Sequence, residues 1–181
     1  MGYRTRFAVI GAGHGGKAMA ADLAVRGFSV NLYNRSAERI HEIALRGEIE
    51  LEYEDGTSRL GSLAVVTSDM AEALAVADVI MVVIPASGHR GVARSCAPHL
   101  RDGQIVILNP GRTGGALEFR QILKQKDSLL GPHVIEVVDE CTTDTTGERG
   151  GEAGILESFP GGVKLCALDL ELPLAQVQLL P

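Results

Sequence analysis

The chain of 181 residues has a mass of 19.1 kDa and is 45% hydrophobic, which predicts one globular core and excludes collagen-like, disordered and mini-protein classes. Its net charge is −6, and the lack of a basic stripe and of Trp argues against nucleic acid as a partner. No apolar run is long enough to span a bilayer, and the three cysteines lack the spacing of a metal site. We therefore expect a soluble, cytoplasmic protein with free thiols and no metal.

The N-terminal part of the chain predicts a strand, a glycine-rich turn, a helix and a second strand. The apolar run Arg6–Ile10 is typical of a buried strand, and the helical pattern after the glycines stops at Gly27. Residues 28–33 form a second strand run, and Ser36 is a candidate N-cap of the next helix. This order predicts a βαβ unit.

A β-hairpin interrupts the alternation of strands and helices. Residues 48–54 alternate between acidic and apolar side chains, and Asp55-Gly56 is a strong turn signal. We expect Ile49, Leu51 and Tyr53 on the buried face of this hairpin and the glutamates on its solvated face.

The strand and helix alternation then resumes as far as residue 138. Strands are predicted at residues 63–66, 79–84, 104–108 and 134–138, and helices near 69–76, 89–96 and 115–124. Continuous Val, Ile and Leu runs are typical of strands buried on both faces. The predicted fold is therefore α/β of the Rossmann type, a doubly wound, mostly parallel sheet with a β-hairpin excursion. We expect a dinucleotide-binding domain over residues 1–139 and an irregular acidic tail over 140–181.

The glycine-rich turn has the pattern of a dinucleotide fingerprint, because it follows a strand and begins a helix. In this motif one glycine makes the turn, the next lets the backbone approach a diphosphate, and the last lets the helix pack on the strand. The candidate cofactor-binding residues are Gly11, Gly13, His14, Gly15 and Gly16. A P-loop is excluded because no Gly-Lys-Ser/Thr closes the turn.

The residues that follow the second strand usually determine whether a dinucleotide-binding domain prefers NAD or NADP. An NAD enzyme usually places a carboxylate there for the ribose hydroxyls, whereas the 2′-phosphate of NADP requires cations or neutral donors. This chain has Asn34, Arg35 and Ser36 there, with Arg39 one turn later. The pattern favours NADP over NAD, and the alternative is that Arg35 is an ordinary surface charge beside an N-cap serine.

Three segments resemble the N-terminal domain of the octopine/nopaline (opine) dehydrogenases. They are residues 7–20 (FAVIGAGHGGKAMA), 30–35 (VNLYNR) and, above all, 107–119 (ILNPGRTGGALEF). The first two are shared with other dehydrogenases, including glycerol-3-phosphate dehydrogenase and ketopantoate reductase. The resemblance covers residues 6–138 and becomes loose beyond them.

The resemblance implies an NAD(P)-dependent reductive condensation of an amino acid with a 2-keto acid through an imine. It implies that Pro85 and Ala86 border the cofactor, and that Asn109, Gly111 and Arg112 face the nicotinamide. The alternative for the last three is a Pro-Gly turn that needs no ligand.

The resemblance implies a catalytic histidine in a helical C-terminal domain, which we expect to lie outside these 181 residues. No catalytic residue is therefore assigned here, and we expect an enzyme piece that is inactive alone and is completed by a helical partner domain or chain. Of the histidines, only His89 is predicted near the cleft. The alternatives are a stand-alone nucleotide-binding module and another oxidoreductase of the same superfamily. The substrates and the oligomeric state do not follow from the sequence.

Overall fold

A computed structural model of the chain describes residues 5–53, 55–111, 114–126 and 136–139, the backbone alone being described for 125–126 and 136–139. The strands, in chain order, are β1 (Arg6–Ile10), β2 (Ser29–Tyr33), β3 (Glu48–Glu52), β4 (Ser58–Ser62), β5 (Val65–Thr67), β6 (Val79–Val82), β7 (Ile105–Leu108) and β8 (Glu136–Asp139). The α-helices are α1 (His14–Val25), α2 (His41–Arg46), α3 (Met70–Leu74), α4 (His89–Cys96) and α5 (Gly115–Lys126). Short 3-10 turns at Ala37–Ile40, Ala86–Gly88 and Ala97–His99 adjoin these helices.

Six of the strands form one parallel sheet in the order β5-β2-β1-β6-β7-β8. The chain moves outward from β1 through β2 to β5, and then returns to the other side of β1 with β6. This strand order is that of a doubly wound dinucleotide-binding fold, and the reversal beside β1 is where such sheets bind ligands. The predicted Rossmann-type fold is confirmed.

Two apolar cores cover the two faces of the sheet, because successive strand residues point to opposite sides. Phe7 and Val9 of β1 pack in the core beneath α1, whereas Ala8 and Ile10 pack in the core beneath α3, α4 and α5. Phe119 of α5 is fully buried in the second core. The central strands β1 and β6 are thus covered on both faces, as continuous apolar strands require.

The predicted hairpin is present as the antiparallel pair β3 and β4. Leu51 is fully buried, Ile49 is buried, and Tyr53 is partly buried against the same core as α1, as the alternation predicted. Gly61 of β4 faces α1 at close range. The hairpin therefore covers the outer side of α1 instead of extending the main sheet.

Some element boundaries differ from the sequence prediction. The helix expected after Ser36 begins as a 3-10 turn and continues as the short α2. The strand expected at 63–66 is β5, displaced toward residue 67, since Leu63 still bonds to Gly47 next to the hairpin. Residues 140–181, the predicted tail, lie outside the described residues. Among the described residues, no helix combines the length and the apolar character needed to cross a bilayer.

Candidate dinucleotide site

The glycine-rich turn joins β1 to α1 at the carboxyl edge of the sheet. The Gly11 N–H donates to the Tyr33 carbonyl oxygen at 2.9 Å, which extends the pairing of β1 with β2. Gly11 has a φ of 112°, a conformation that L side chains rarely adopt. A Cβ there would also lie 2.5 Å from the Val83 carbonyl oxygen, beyond the end of β6. Gly11 is therefore required by the turn and by its close approach to the neighbouring strand.

The other glycines of the turn differ in their surroundings. A Cβ at Gly16 would overlap the carbonyl oxygen of Gly11, so Gly16 allows α1 to pack directly on the end of β1. A Cβ at Gly15 would make an ordinary contact of 3.5 Å with Val83. A Cβ at Gly13 would meet nothing within 4 Å. The turn is thus tightly packed on its inner side and open at Gly13.

The open side of the turn presents main-chain N–H groups. Gly13 is the N-cap of α1, and no side chain caps this helix. The first-turn N–H groups of a helix have no acceptor within it, and within the described part of the chain those of His14, Gly15 and Gly16 have none outside it. The first turn also contains no acidic residue, and Gly13, His14 and Gly15 are exposed. This arrangement can hold an anion such as a diphosphate.

Asn34 lies at the end of β2, beside the glycine turn. Its Oδ1 accepts the Ala12 N–H at 3.1 Å, and its Nδ2 donates to the Ser36 carbonyl oxygen at 3.0 Å. Both polar atoms of this side chain are therefore engaged by the protein. The sequence analysis identified Asn34 only as a possible cofactor contact and gave no signal of these bonds.

Arg35 and Ser36 follow on the outer surface. Arg35 is exposed and, among the described residues, takes part in no hydrogen bond or ion pair. Ser36 occupies the predicted N-cap position, but its hydroxyl makes no capping bond to the 3-10 turn. Arg39 is also exposed. A cation and a hydroxyl are thus available here, and no carboxylate directly follows β2.

The ends of β6 and β7 provide the remaining candidates. Pro85 is exposed and, with Ala86, begins the turn that leads from β6 into α4. Asn109 follows β7, is only 6% exposed, and donates through Nδ2 to the Ile107 carbonyl oxygen at 3.2 Å. Its Oδ1 is buried and has no hydrogen-bond partner among the residues that the structure describes. Unpaired buried acceptors are rare in proteins, so this atom is a candidate for a ligand contact.

The predicted site residues therefore adjoin one stretch of the sheet edge. The turn 11–16 lies between the end of β2, with residues 34–36, and the end of β6, with Pro85 and Ala86 close behind. Asn109 is one strand further along, and its N–H donates to the Val82 carbonyl oxygen at 2.8 Å. Sequence reasoning missed Val83, which contacts the turn from the neighbouring strand, because no local pattern reveals strand order.

A comparison with protein families agrees with this geometry. The model of the NAD-dependent glycerol-3-phosphate dehydrogenase N-terminus matches residues 6–145. The chain belongs to this family. It is a nicotinamide-dinucleotide-binding domain of the type found in opine and glycerol-3-phosphate dehydrogenases.

Individual relatives include both of these enzyme types. The chain is 46% identical over 119 residues to the opine dehydrogenase of Arthrobacter sp. (strain 1C), a match that covers 66% of this chain and 33% of that protein. It is 33% identical over 123 residues to the glycerol-3-phosphate dehydrogenase (NAD(P)+) of Teredinibacter turnerae (strain ATCC 39867 / T7901), which covers 67% and 36%. The chain thus spans about a third of the length of these relatives.

A solved structure gives the same fold. The structure of octopine dehydrogenase with NADH and L-arginine superposes with a TM-score of 0.62 over 75% of this chain and 34% of that chain, at 24% identity. The predicted resemblance of this dehydrogenase domain to the opine family is confirmed by these relatives.

Of the histidines that the structure describes, His14 lies in the glycine turn at the sheet edge and the others belong to different elements. His89, expected in a loop near the cleft, is the first residue of α4 and is 2% exposed. His41 begins α2, His99 lies in a 3-10 turn, and His133 lies outside the described residues, as do Arg112 and Thr113. Within the described part of the chain, no group of three or more His, Cys, Asp and Glu side chains is arranged to hold a metal ion.

Proposed function

We propose that this dehydrogenase domain binds NADP(H) in preference to NAD(H), with the diphosphate against the turn 11–16. The position of the diphosphate is supported by the different space that surrounds each glycine of this turn. Gly11 and Gly16 have no room for a side chain, whereas the space over Gly13 is open and adjoins the N–H groups of α1. A diphosphate there is stabilised by hydrogen bonds and by the helix dipole.

The preference for NADP rests on the residues after β2. Two groups are suitable donors for a 2′-phosphate: the exposed guanidinium of Arg35 and the hydroxyl of Ser36, which makes no capping bond. Arg39 adds a second exposed cation. A hydrogen bond between Arg and a phosphate contributes about 1.5 to 3 kcal/mol, or roughly ten- to a hundredfold in affinity. Asn34, which occupies the usual carboxylate position, does not bring a negative charge that would repel that phosphate.

The nicotinamide half of the cofactor is assigned to the ends of β6 and β7. Pro85 and Ala86 border the strand-order reversal, where open α/β sheets bind ligands. The Asn109 Oδ1, for which the described part of the chain offers no donor, suits an N–H donor such as the nicotinamide carboxamide. Its buried position supports an orienting contact.

Titration of the full chain with NADPH and NADH, followed by nucleotide fluorescence, tests the cofactor assignment. The wild-type protein should bind NADPH roughly ten- to a hundredfold more tightly. Arg35→Asp should bring the ratio of the NADPH and NADH affinities close to one, because it replaces the proposed hydrogen-bond donor to the phosphate by a carboxylate. Arg46→Asp, the same charge change at the end of α2, is the control and should leave the ratio unchanged. Equal affinities in the wild-type protein, or an unchanged ratio in Arg35→Asp, would contradict the assignment.

We further propose opine-type chemistry for the complete enzyme, supported by the 46% identity to an opine dehydrogenase. An amino acid and a 2-keto acid condense to an imine with loss of water. A reduced nicotinamide held by the turn 11–16 and the ends of β6 and β7 would supply the hydride for the imine carbon, and the imine nitrogen would take up a proton. His89, the histidine expected near the cleft, is buried at 2% exposure in α4, so we assign the acid–base group to a helical domain or chain beyond the dinucleotide domain of residues 1–139. Residues 140–181 are proposed to lead toward it, in a cytoplasmic enzyme.

Glycerol-3-phosphate oxidation is the second candidate, since the matching family model and the second relative carry that name. Assays of NADPH oxidation with arginine or alanine plus pyruvate, and of NADP+ reduction with glycerol 3-phosphate, separate the two. Each is run on the chain alone and with any separately encoded helical chain. We expect turnover of the amino acid and pyruvate only with the partner. Turnover of glycerol 3-phosphate would favour the second candidate, and saturable binding without turnover in any assay would indicate a binding module.

A further inference from the structure

The side chain of Asn34 joins two segments that the proposed function assigns to different parts of the cofactor. Its Oδ1 accepts from the Ala12 N–H in the glycine turn, and its Nδ2 donates to the Ser36 carbonyl oxygen beside Arg35. Its own N–H donates to the Thr67 carbonyl oxygen of β5 at 3.2 Å. Because one partner is a donor and the other an acceptor, only one orientation of the carboxamide satisfies both.

Across the described residues, the Ala12 N–H in the glycine turn has no acceptor other than Asn34 Oδ1. Ala12 lies between the packed Gly11 and the open Gly13, and it is buried at 4% exposure. If the acceptor were removed, the N–H of this largely buried residue would lose its partner, which is unfavourable. The turn would then have to shift at the point where it is proposed to meet the diphosphate.

The bond to Ser36 connects Asn34 to the second segment, where the Ser36 carbonyl oxygen also accepts the Arg39 N–H at 3.3 Å. It closes the backbone around Arg35, whose guanidinium makes no hydrogen bond or ion pair to any other described residue. An aspartate in place of Asn34 retains an acceptor for Ala12, but its second oxygen would face the Ser36 carbonyl oxygen and repel it. The internal hydrogen bonds thus favour an amide at the position where many NAD-binding domains have a carboxylate.

We infer that Asn34 is a positioning residue: it does not contact the cofactor, and it holds the glycine turn and the Arg35 segment in the relative position that the cofactor requires. This inference rests on the proposed function. It reassigns Asn34 from a cofactor ligand to a connection between two binding segments.

The test compares Asn34→Ala with Asn31→Ala in the full chain. Asn31 lies on the same strand and donates to the Ala73 carbonyl oxygen at 2.9 Å, so this control also removes one amide hydrogen bond of β2. We expect Asn34→Ala to lower the affinity for both NADH and NADPH by about two- to tenfold, which is the usual effect of one hydrogen bond. In the cofactor-free protein, hydrogen exchange should accelerate at the Ala12 amide and stay slow at Val9. Asn31→Ala should lower stability without either effect.

Asn34→Asp provides the rescue. It should restore slow exchange at Ala12 and the affinity for NADH, because the acceptor is kept, and it should still lose NADPH affinity. Loss of NADPH affinity alone in Asn34→Ala, with NADH unchanged, would instead identify Asn34 as a 2′-phosphate ligand. Loss of both affinities with unchanged Ala12 exchange would identify a ribose ligand. Wild-type protein that binds neither nucleotide would overturn the proposed function, while exchange in the cofactor-free protein would still test the connection.

Discussion

The glycines between β1 and α1 differ in what a single methyl group would meet. A methyl at Gly16 overlaps the Gly11 carbonyl oxygen, one at Gly15 makes an ordinary contact with Val83, and one at Gly13 projects into open space. Gly13 has φ −72° and ψ −175°, which alanine adopts without strain. Packing and binding can therefore be separated by three substitutions of one kind.

We expect Gly13→Ala to change the free energy of unfolding by about 1 kcal/mol or less and yet to weaken dinucleotide binding, because its methyl occupies the approach to the N–H groups of α1. Gly16→Ala should destabilise the domain by several kcal/mol, roughly as severe overpacking does. Gly15→Ala is the control for folding. Urea denaturation and nucleotide titration measure both properties, and full-affinity binding by Gly13→Ala would exclude the proposed diphosphate position.

At the level of elements, the hairpin of β3 and β4 depends on a close contact with α1. Gly61 is buried against this helix, and a Cβ there would lie 2.7 Å from the Ala21 carbonyl oxygen and 2.9 Å from Ala24 Cβ. Neither atom belongs to a flexible side chain. The absence of a side chain at Gly61 thus lets a two-stranded sheet, which is marginal alone, pack on the domain.

Gly61→Ala should force β4 away from α1 and lower the free energy of unfolding by about 1–3 kcal/mol. Ser58→Ala, at an exposed position of the same strand, should change it by less than about 0.5 kcal/mol. Urea denaturation with a fluorescent or circular dichroism signal measures the difference. Equal stability of the two variants would show that the hairpin packs less closely than described.

Two element boundaries show where local pattern is insufficient. Ser36 was correctly predicted to begin a helical segment, but the Arg39 N–H donates to the Ser36 carbonyl oxygen at 3.3 Å in a 3-10 turn before α2 starts. Over four residues the two helix types have nearly the same sequence preferences, so burial of Ile40 in the core can decide between them. Similarly, β5 begins at Val65, because pairing with Asn31 of β2 begins there.

For the molecule as a whole, a buried thiol lowers the free energy of unfolding when the pH becomes alkaline. Cys96 lies in the core between α4 and α3, where its Sγ is 3.6 Å from Met70 Sδ, and burial raises the pKa of the thiol from 9.0 to about 12. Between those values the folded protein keeps a proton that the unfolded chain releases. The free energy of unfolding therefore falls as the pH rises above 9, by up to about 1.4 kcal/mol per pH unit. Burial, and next the electrostatic interaction with Cys96, also raise the pKa of Tyr33, so this group lowers stability at alkaline pH as well.

We expect the stability difference between wild-type protein and Cys96→Ala to be constant from pH 7 to 8.5 and to shrink from pH 9 upward. Below pH 9 the wild-type protein should be more stable, since alanine leaves part of the thiol volume empty. Urea denaturation across this pH range gives both curves. A difference that stays constant up to pH 10.5 would show that Cys96 titrates alike in the folded and unfolded states.

The sequence alone determined the features that short segments encode. Strand β1, the glycine turn, the end of α1 near Gly27 and the buried alternation of the hairpin follow from local periodicity and from residues with special backbone freedom. The specific run at 107–119 was enough to point to the opine dehydrogenases. These properties depend on residues close together in the chain, so that no tertiary contact is needed to read them.

Only the tertiary structure decided which distant segments meet. It placed β6 beside β1, brought Val83 under the glycine turn, joined Asn34 to Ala12 and buried His89 in α4. These outcomes depend on how helices cross over a twisted sheet and which apolar faces they cover, and the energies involved are summed over contacts far apart in sequence. The residues of the candidate site can therefore be predicted from the sequence, whereas their packing and hydrogen bonds are properties of the folded chain.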